Sequence, residues 1–255
     1  MRFRPCIDIH NGKVKQIVGG SLKDEGDQAA DNFVSELSAA DYARMYRKRS
    51  LAGGHVIILN PAGSDYYEAD LVQAAQAFGE YPGGLMAGGG INTENALDFL
   101  RMGASHVIVT SYVFCNGIID YDRLSKLSGL VGRERLVLDL SCRKREGQYW
   151  IVTDRWQTFT ETVLKEETLE RLAPYCSEFL VHAVDVEGKA SGIEQEVASL
   201  LGAWHKIPIT YAGGISSMED IRLLQQLGAG HLDFTVGSAL DLFGGSVSFD
   251  EIAAI

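Results

Sequence analysis

The sequence predicts an α/β protein, a (β/α)₈ TIM barrel with a two-fold half-barrel repeat, and three observations predict it. Eight short, nearly continuous apolar runs alternate with helical patterns, as a parallel sheet covered on both faces requires. The chain has 255 residues, against about 250 for a typical barrel of this kind. Two glycine-rich segments also recur in the same order at one offset, close to half the chain.

Taken in order, the first strand is expected over Phe3–Ile9, where apolar residues run up to an Asp and a turn. A long first βα loop follows, carrying Lys13, Lys15, Gly19 and Gly20; it is expected to act as a lid, with Gly20 among the substrate-binding positions. The next units pair helix Ala39–Leu51 with strand His55–Leu59, and helix Asp70–Phe78 with strand Leu85–Ala87. Helix Thr93–Met102 leads to strand His106–Val109, and helix Tyr121–Leu127 to strand Leu136–Leu140. After a long excursion come helix Thr168–Tyr175 and strand Phe179–Ala183, then helix Glu194–Leu201 and strand Ile209–Ala212. Helix Met218–Leu227, strand Leu232–Val236 and a short helix Phe249–Ala254 complete the set. An open doubly wound sheet is the rival architecture.

The repeat is the more specific signal. AGGGI from Ala87 returns as AGGI from Ala212, and GASHVIVTS from Gly103 returns as GAGHLDFTVGS from Gly228, both 125 positions on. Two fused half-barrels, roughly 1–130 and 131–255, give this pattern. With no linker rich in Pro, Ser or charge between them, 1–255 is expected to form one domain.

Hydrophobic residues make up 46% and charged residues 22%, which excludes disorder, collagen and coiled coil. The net charge of −11 repels phosphate polymers, so no nucleic-acid partner is expected. Charge interrupts every apolar run well short of a membrane span, and the N-terminus has no apolar signal core. The cysteines Cys6, Cys115, Cys142 and Cys176 form no C-x-x-C pair and read as reduced core residues. A cytoplasmic monomer is expected.

In such a barrel the active site lies at the C-terminal ends of the strands. Asp8 and Asp139 end the first and fifth strands, opposite one another across the mouth. One strand-end Asp most often caps a loop, but two related by the repeat and facing one cavity point to a paired acid and base. Gly88, Gly89 and Gly90, and again Gly213 and Gly214, form strand–turn–helix units that bring backbone N–H groups to an anion, with Thr93 or Ser216 as a helix cap behind. Beside them lie Thr110 and Ser111 after the fourth strand, and Gly237 and Ser238 after the eighth. The duplication implies a small substrate with a phosphate at each end. His182 ends the sixth strand, either in the cavity or as a core histidine; Trp156 either stacks on a planar base or packs its own loop. The other histidines show no ligand spacing, so no metal is expected.

Along the whole chain these residues resemble the phosphoribosylformimino-aminoimidazole carboxamide ribotide isomerases of histidine biosynthesis. CIDIHNGKVKQIVGG and LVLDL resemble the family's two catalytic strands, while MAGGGIN, VIVTS, ITYAGGIS and FTVGSAL resemble its phosphate cradles. GGHVIILNP, DRWQTFTE and HAVDVEGKASGIEQE are similar to the eukaryotic-type branch. Asn92 and His182 depart from many bacterial members, which have Arg and Thr there. The resemblance implies an Amadori rearrangement, aminoaldose to aminoketose, of a substrate with two phosphates. It implies Asp139 as general acid toward the ribose ring oxygen, Asp8 as general base at C2, and Trp156 stacking on the imidazole carboxamide. Neither step calls for a cofactor or a metal.

Three alternatives stand beside it. The sister cyclase of the next step resembles this barrel and works with a glutaminase partner, but HAVDVEGKASG does not look like its version. A phosphoribosylanthranilate isomerase pairs Cys with Asp, and here Cys6 lies two residues before Asp8 on the same side of the strand. The third is a catalytically inactive phosphate-binding barrel.

Overall fold

The computed structural model describes residues 1–17, 31–189 and 191–255. Eight strands run parallel in chain order: Cys6–His10, Gly54–Ile58, Leu85–Gly88, Val107–Val109, Leu136–Asp139, Glu178–His182, Ile209–Ala212 and Leu232–Phe234. Each pairs with the next, from Cys6 against His55 round to Ile209 against Leu232. The circle closes where Phe3 pairs in parallel with Phe234. There the Arg4 N–H donates to the Phe234 carbonyl at 2.7 Å, and the Phe234 N–H to the Arg2 carbonyl at 3.0 Å. A closed ring in sequential order excludes the doubly wound sheet. Pro5, which has no N–H to give to a ladder, separates this closing bridge from the first strand and accounts for its late start at Cys6.

Helices cover the outside. Helix α1 (Ala39–Lys48) starts at Ser38, which forms a capping box with Asp41, and it buries Ala39, Tyr42, Ala43 and Tyr46 at helical spacing against the sheet. Helices α2 (Tyr67–Glu80), α3 (Ala96–Arg101), α4 (Tyr121–Val131), α5 (Glu166–Leu172), α6 (Gln195–Trp204), α7 (Met218–Leu227) and α8 (Phe249–Ile252) follow the expected order. Helix α3 begins three residues later than Thr93: the Asn92 N–H donates to Asn95 Oδ1 at 2.9 Å, and the Thr93 hydroxyl bonds Tyr112 instead of capping. The cap of α7 is Ser217, not Ser216. Among the described residues no helix is long and apolar enough to cross a membrane.

The barrel interior is filled by Met86, Ile108, Val137, Leu180 and Ala212. Below that layer lies a buried ionic floor. Arg4 bonds Asp233 at 2.8 Å and reaches Glu178 at 3.5 Å, while the Thr210 hydroxyl donates to Glu178 at 2.7 Å. Two additions decorate the opposite, C-terminal end. After the first strand, Lys13–Ile17 folds back antiparallel on it and pairs with Asp31–Val34. The excursion after the fifth strand is a three-stranded antiparallel sheet of Cys142–Arg145, Gln148–Thr153 and Thr158–Val163.

Candidate active site

The barrel mouth holds a cavity of about 630 Å³. Asp8 and Asp139 line it from opposite strands, and so does every other described residue expected at the site except Gly88, which is still part of its strand. Gly20 lies outside the described residues.

Side chains alternate along a strand, so Cys6 and Asp8 both enter the barrel from the first. The folded-back strand supplies Gln16, whose Nε2 donates to Asp8 Oδ2 at 3.0 Å. Burial, together with the negative charge of Glu187, pushes the Asp8 carboxyl up to about 7, against the opposing pull of His182 and Gln16. Burial also drives the Cys6 thiol well above its ordinary range, so Asp8 and not Cys6 is the group poised to move a proton near neutrality.

Asp139 sits in a different setting. Its Oδ1 accepts the Ser141 N–H at 2.8 Å and the Ser141 hydroxyl at 2.7 Å, and His182 Nδ1 stands 3.7 Å away. Burial raises this carboxyl, but His182 and the Ser141 donors outweigh it and leave Asp139 below the usual carboxylate range. Burial likewise lowers His182, yet Asp139, Glu187 and Asp8 together hold it above the ordinary histidine value. For His55, on the second strand, burial and then the neighbouring His182 outweigh the pull of Asp139 and take it down to about 3.

Trp156 enters from the turn of the added sheet. Its indole N–H donates to Ser141 at 3.1 Å, and its ring lies 5.6 Å from that of His182. It therefore forms part of the cavity wall as well as packing its loop. Ser111 accepts the Asp154 N–H at 3.1 Å and so ties that turn to the fourth strand.

The two glycine turns are alike in backbone. Gly89 and Gly90 have φ of 99° and 65°, and Gly213 and Gly214 have 113° and 77°, a left-handed path that favours glycine. Their offset is 124 rather than 125 because Gly88 is still part of its strand. Asn95 Nδ2 bonds the Gly90 carbonyl at 3.0 Å, whereas Ser216 turns its N–H and hydroxyl to Asp220. Among the described residues, Arg155 is the one Arg or Lys lining the cavity, so an anion there is met chiefly by backbone. No three of the described His, Cys, Asp and Glu converge as metal ligands.

Three residues escaped the sequence reading: Gln16, Ser141 and Glu187. Glu187 lies beyond the sixth strand in a loop with no spacing signal. Gln16 was marked by the Asn11-Gly12 pair before it, a hairpin signal that returns the chain toward Asp8.

A family model described as histidine biosynthesis protein matches residues 2–247. A relative from Medicago truncatula is 53% identical over 258 residues, covering 100% of this chain and 81% of its own length. Relatives from Yarrowia lipolytica and Saccharomyces cerevisiae are 46% and 44% identical, covering 96% and 98% of this chain and 93% and 96% of theirs. All three are named 1-(5-phosphoribosyl)-5-((5-phosphoribosylamino)methylideneamino)imidazole-4-carboxamide isomerase, and the Medicago protein is further named as chloroplastic.

Proposed function

The chain belongs to the histidine biosynthesis protein family, and from that premise we propose that its barrel carries out the isomerisation named for its relatives. It is an isomerase acting on a small substrate with a phosphoribosyl group at each end of an imidazole carboxamide. The observation that carries this reading is the placement of Asp8 and Asp139 on opposed strands of one cavity, between two matching glycine turns.

Each turn takes one phosphate through backbone N–H groups: Gly89 and Gly90 with Thr110 and Ser111 on one rim, Gly213 and Gly214 with Gly237 and Ser238 on the other. Anchored at both ends, the aminoaldose lies with its ribose between the two carboxyls, which gives the proton transfers their positional advantage. The acid arm stands on the Asp139 side and opens the ring by protonating its oxygen, leaving a Schiff base. Asp8 removes the C2 proton, and the enolamine formed tautomerises to the ketone. Proton transfers of this kind contribute about 10²–10⁴-fold each. Trp156 stacks on the imidazole carboxamide.

Action as a monomer and as one domain, in a cytoplasmic setting, belongs to the same reading. The test is absorbance-monitored turnover of the aminoaldose by the purified protein. Product formation that disappears in Asp8→Asn is expected. A folded protein that leaves the aminoaldose unchanged overturns the reading.

A further inference from the structure

We propose that His182 is the catalytic residue that delivers the proton to the sugar ring oxygen, and that Asp139 is the positioning residue that holds its imidazolium. The proposal rests on the isomerase reading above and identifies the atoms of its acid arm.

The geometry around Asp139 suits an anion. Its Oδ1 accepts two hydrogen bonds from Ser141, the backbone N–H at 2.8 Å and the hydroxyl at 2.7 Å, and both favour the ionised carboxylate. A proton donor must instead hold a proton in the resting enzyme. His182 is placed to do so, with its Nδ1 3.7 Å from that same oxygen. The Nδ1 atom is buried and makes no hydrogen bond to the described residues, among which the Asp139 charge is its nearest compensation. The ring is flanked by Trp156 at 5.6 Å and His55 at 6.2 Å, and it lines the cavity. With Nδ1 turned to Asp139, Nε2 is the nitrogen on the far edge of the ring and the one we assign to delivery.

The groups facing His182 favour its cationic form. Among the described residues they are Asp139 on the fifth strand, Asp8 on the first and Glu187 on the loop after the sixth, all acidic. From the second strand comes His55, which burial keeps neutral. The raised value of His182 accords with this arrangement.

The proton count closes. Nε2 gives its proton to the ring oxygen as the C1–O bond breaks, the exocyclic nitrogen lone pair forms C=N, and the imidazole becomes neutral. Asp8 takes the C2 proton, and the C2–H electron pair forms C1=C2 while the C=N electrons return to nitrogen. Tautomerisation then moves a proton off the C2 hydroxyl and one onto C1, restoring imidazolium and carboxylate.

The experiment uses the full chain as wild type, His182→Asn and Asp139→Asn. Turnover of the aminoaldose is followed from pH 5.5 to 9, and the imidazoles are observed by ¹⁵N NMR. In the wild type, the His182 ring should carry protons on both nitrogens at pH 7 and lose one at a lower pH in Asp139→Asn. His182→Asn should lose at least about a hundredfold in kcat with KM changed less than about threefold, and kcat should no longer fall on the alkaline side. A neutral His182 ring at pH 7 in the wild type overturns the proposal. So does a His182→Asn enzyme within about tenfold of wild type that keeps its alkaline fall. A wild type with no turnover at any pH overturns the isomerase reading instead, and the NMR result still decides the charge on His182.

Discussion

Gly89 and Gly213 meet the same obstacle in the two halves of the barrel. A Cβ on Gly89 would lie 2.0 Å from the Ile58 carbonyl oxygen, and one on Gly213 would lie 2.7 Å from that of Ala183. Each turn therefore runs flush against the end of the preceding barrel strand, which fixes where its N–H groups are presented. By contrast, a Cβ on Gly90 meets nothing within 4 Å.

This contrast separates anchoring from folding. Gly90→Ala should keep the fold, since only its left-handed φ of 65° is strained, while raising KM at least about tenfold through a methyl in the proposed phosphate seat. Gly89→Ala should lower the thermal midpoint as well. A crystal soaked in phosphate should show two anions on opposite rims; a single site, or two on one rim, removes the two-ended substrate.

Replacing Asp8 or Asp139 by Asn should each lower kcat by at least about a hundredfold with the fold retained by circular dichroism. The Asp8 variant carries a second signature, in stability. Because the folded carboxyl sits near 7 and the unfolded one near 4, the native state keeps a proton that the unfolded chain releases. Stability therefore falls as pH rises between those values, and the cost stays above pH 7. Asp8→Asn should be more stable than wild type at pH 8, by no more than about 4 kcal/mol for about three units, and no different near pH 4. Equal denaturation midpoints at both pH values would sink this account.

Glu187 raises Asp8 and His182 alike through its charge. Removing that charge in Glu187→Gln should slide the whole pH–rate profile toward acid, its rising limb by about half a unit to one unit, on the usual scale of single-neighbour effects. Measuring kcat/KM from pH 5 to 9 in both enzymes decides it. An unmoved profile would mean that Glu187 does not sense the site.

Arg4, Glu178 and Asp233 form the buried floor, with Arg4 only 7% exposed at its side chain. Arg4→Met leaves Glu178 without its ion-pair partner and Asp233 with only the more exposed Arg2, and should cost about 3–5 kcal/mol in urea unfolding at pH 7. Its kcat per folded molecule should stay within about twofold, since the floor lies at the far end of the barrel from the mouth. A change under about 1 kcal/mol would show that water relieves the floor.

The barrel and both glycine turns were legible because glycine repeats and unbroken apolar runs report directly on backbone path and double-sided burial. The added strands were less so. Glu146 and Gly147, both at positive φ, carry a hairpin signal, but the strand before them, Cys142–Arg145, is polar and partly exposed, so periodicity says little there. The proton chemistry was the least legible. Asp8 and Asp139 stand in equivalent places in the two halves, and what drives them apart is Glu187 near one and Ser141 with His182 near the other. Those neighbours meet only after folding.

The bridge between Phe3 and Phe234 joins residues 231 positions apart. During synthesis the first strand cannot gain its eighth neighbour until Leu232–Phe234 has left the ribosome, so nearly the whole chain is made with two sheet edges unpaired. Such edges template association, and a contact of this range comes with a slow closing step. A chain stopped before Leu232 should therefore aggregate during translation while the full chain does not. That places the hazard for this protein in its birth rather than in its finished form, where the ring leaves no barrel edge open.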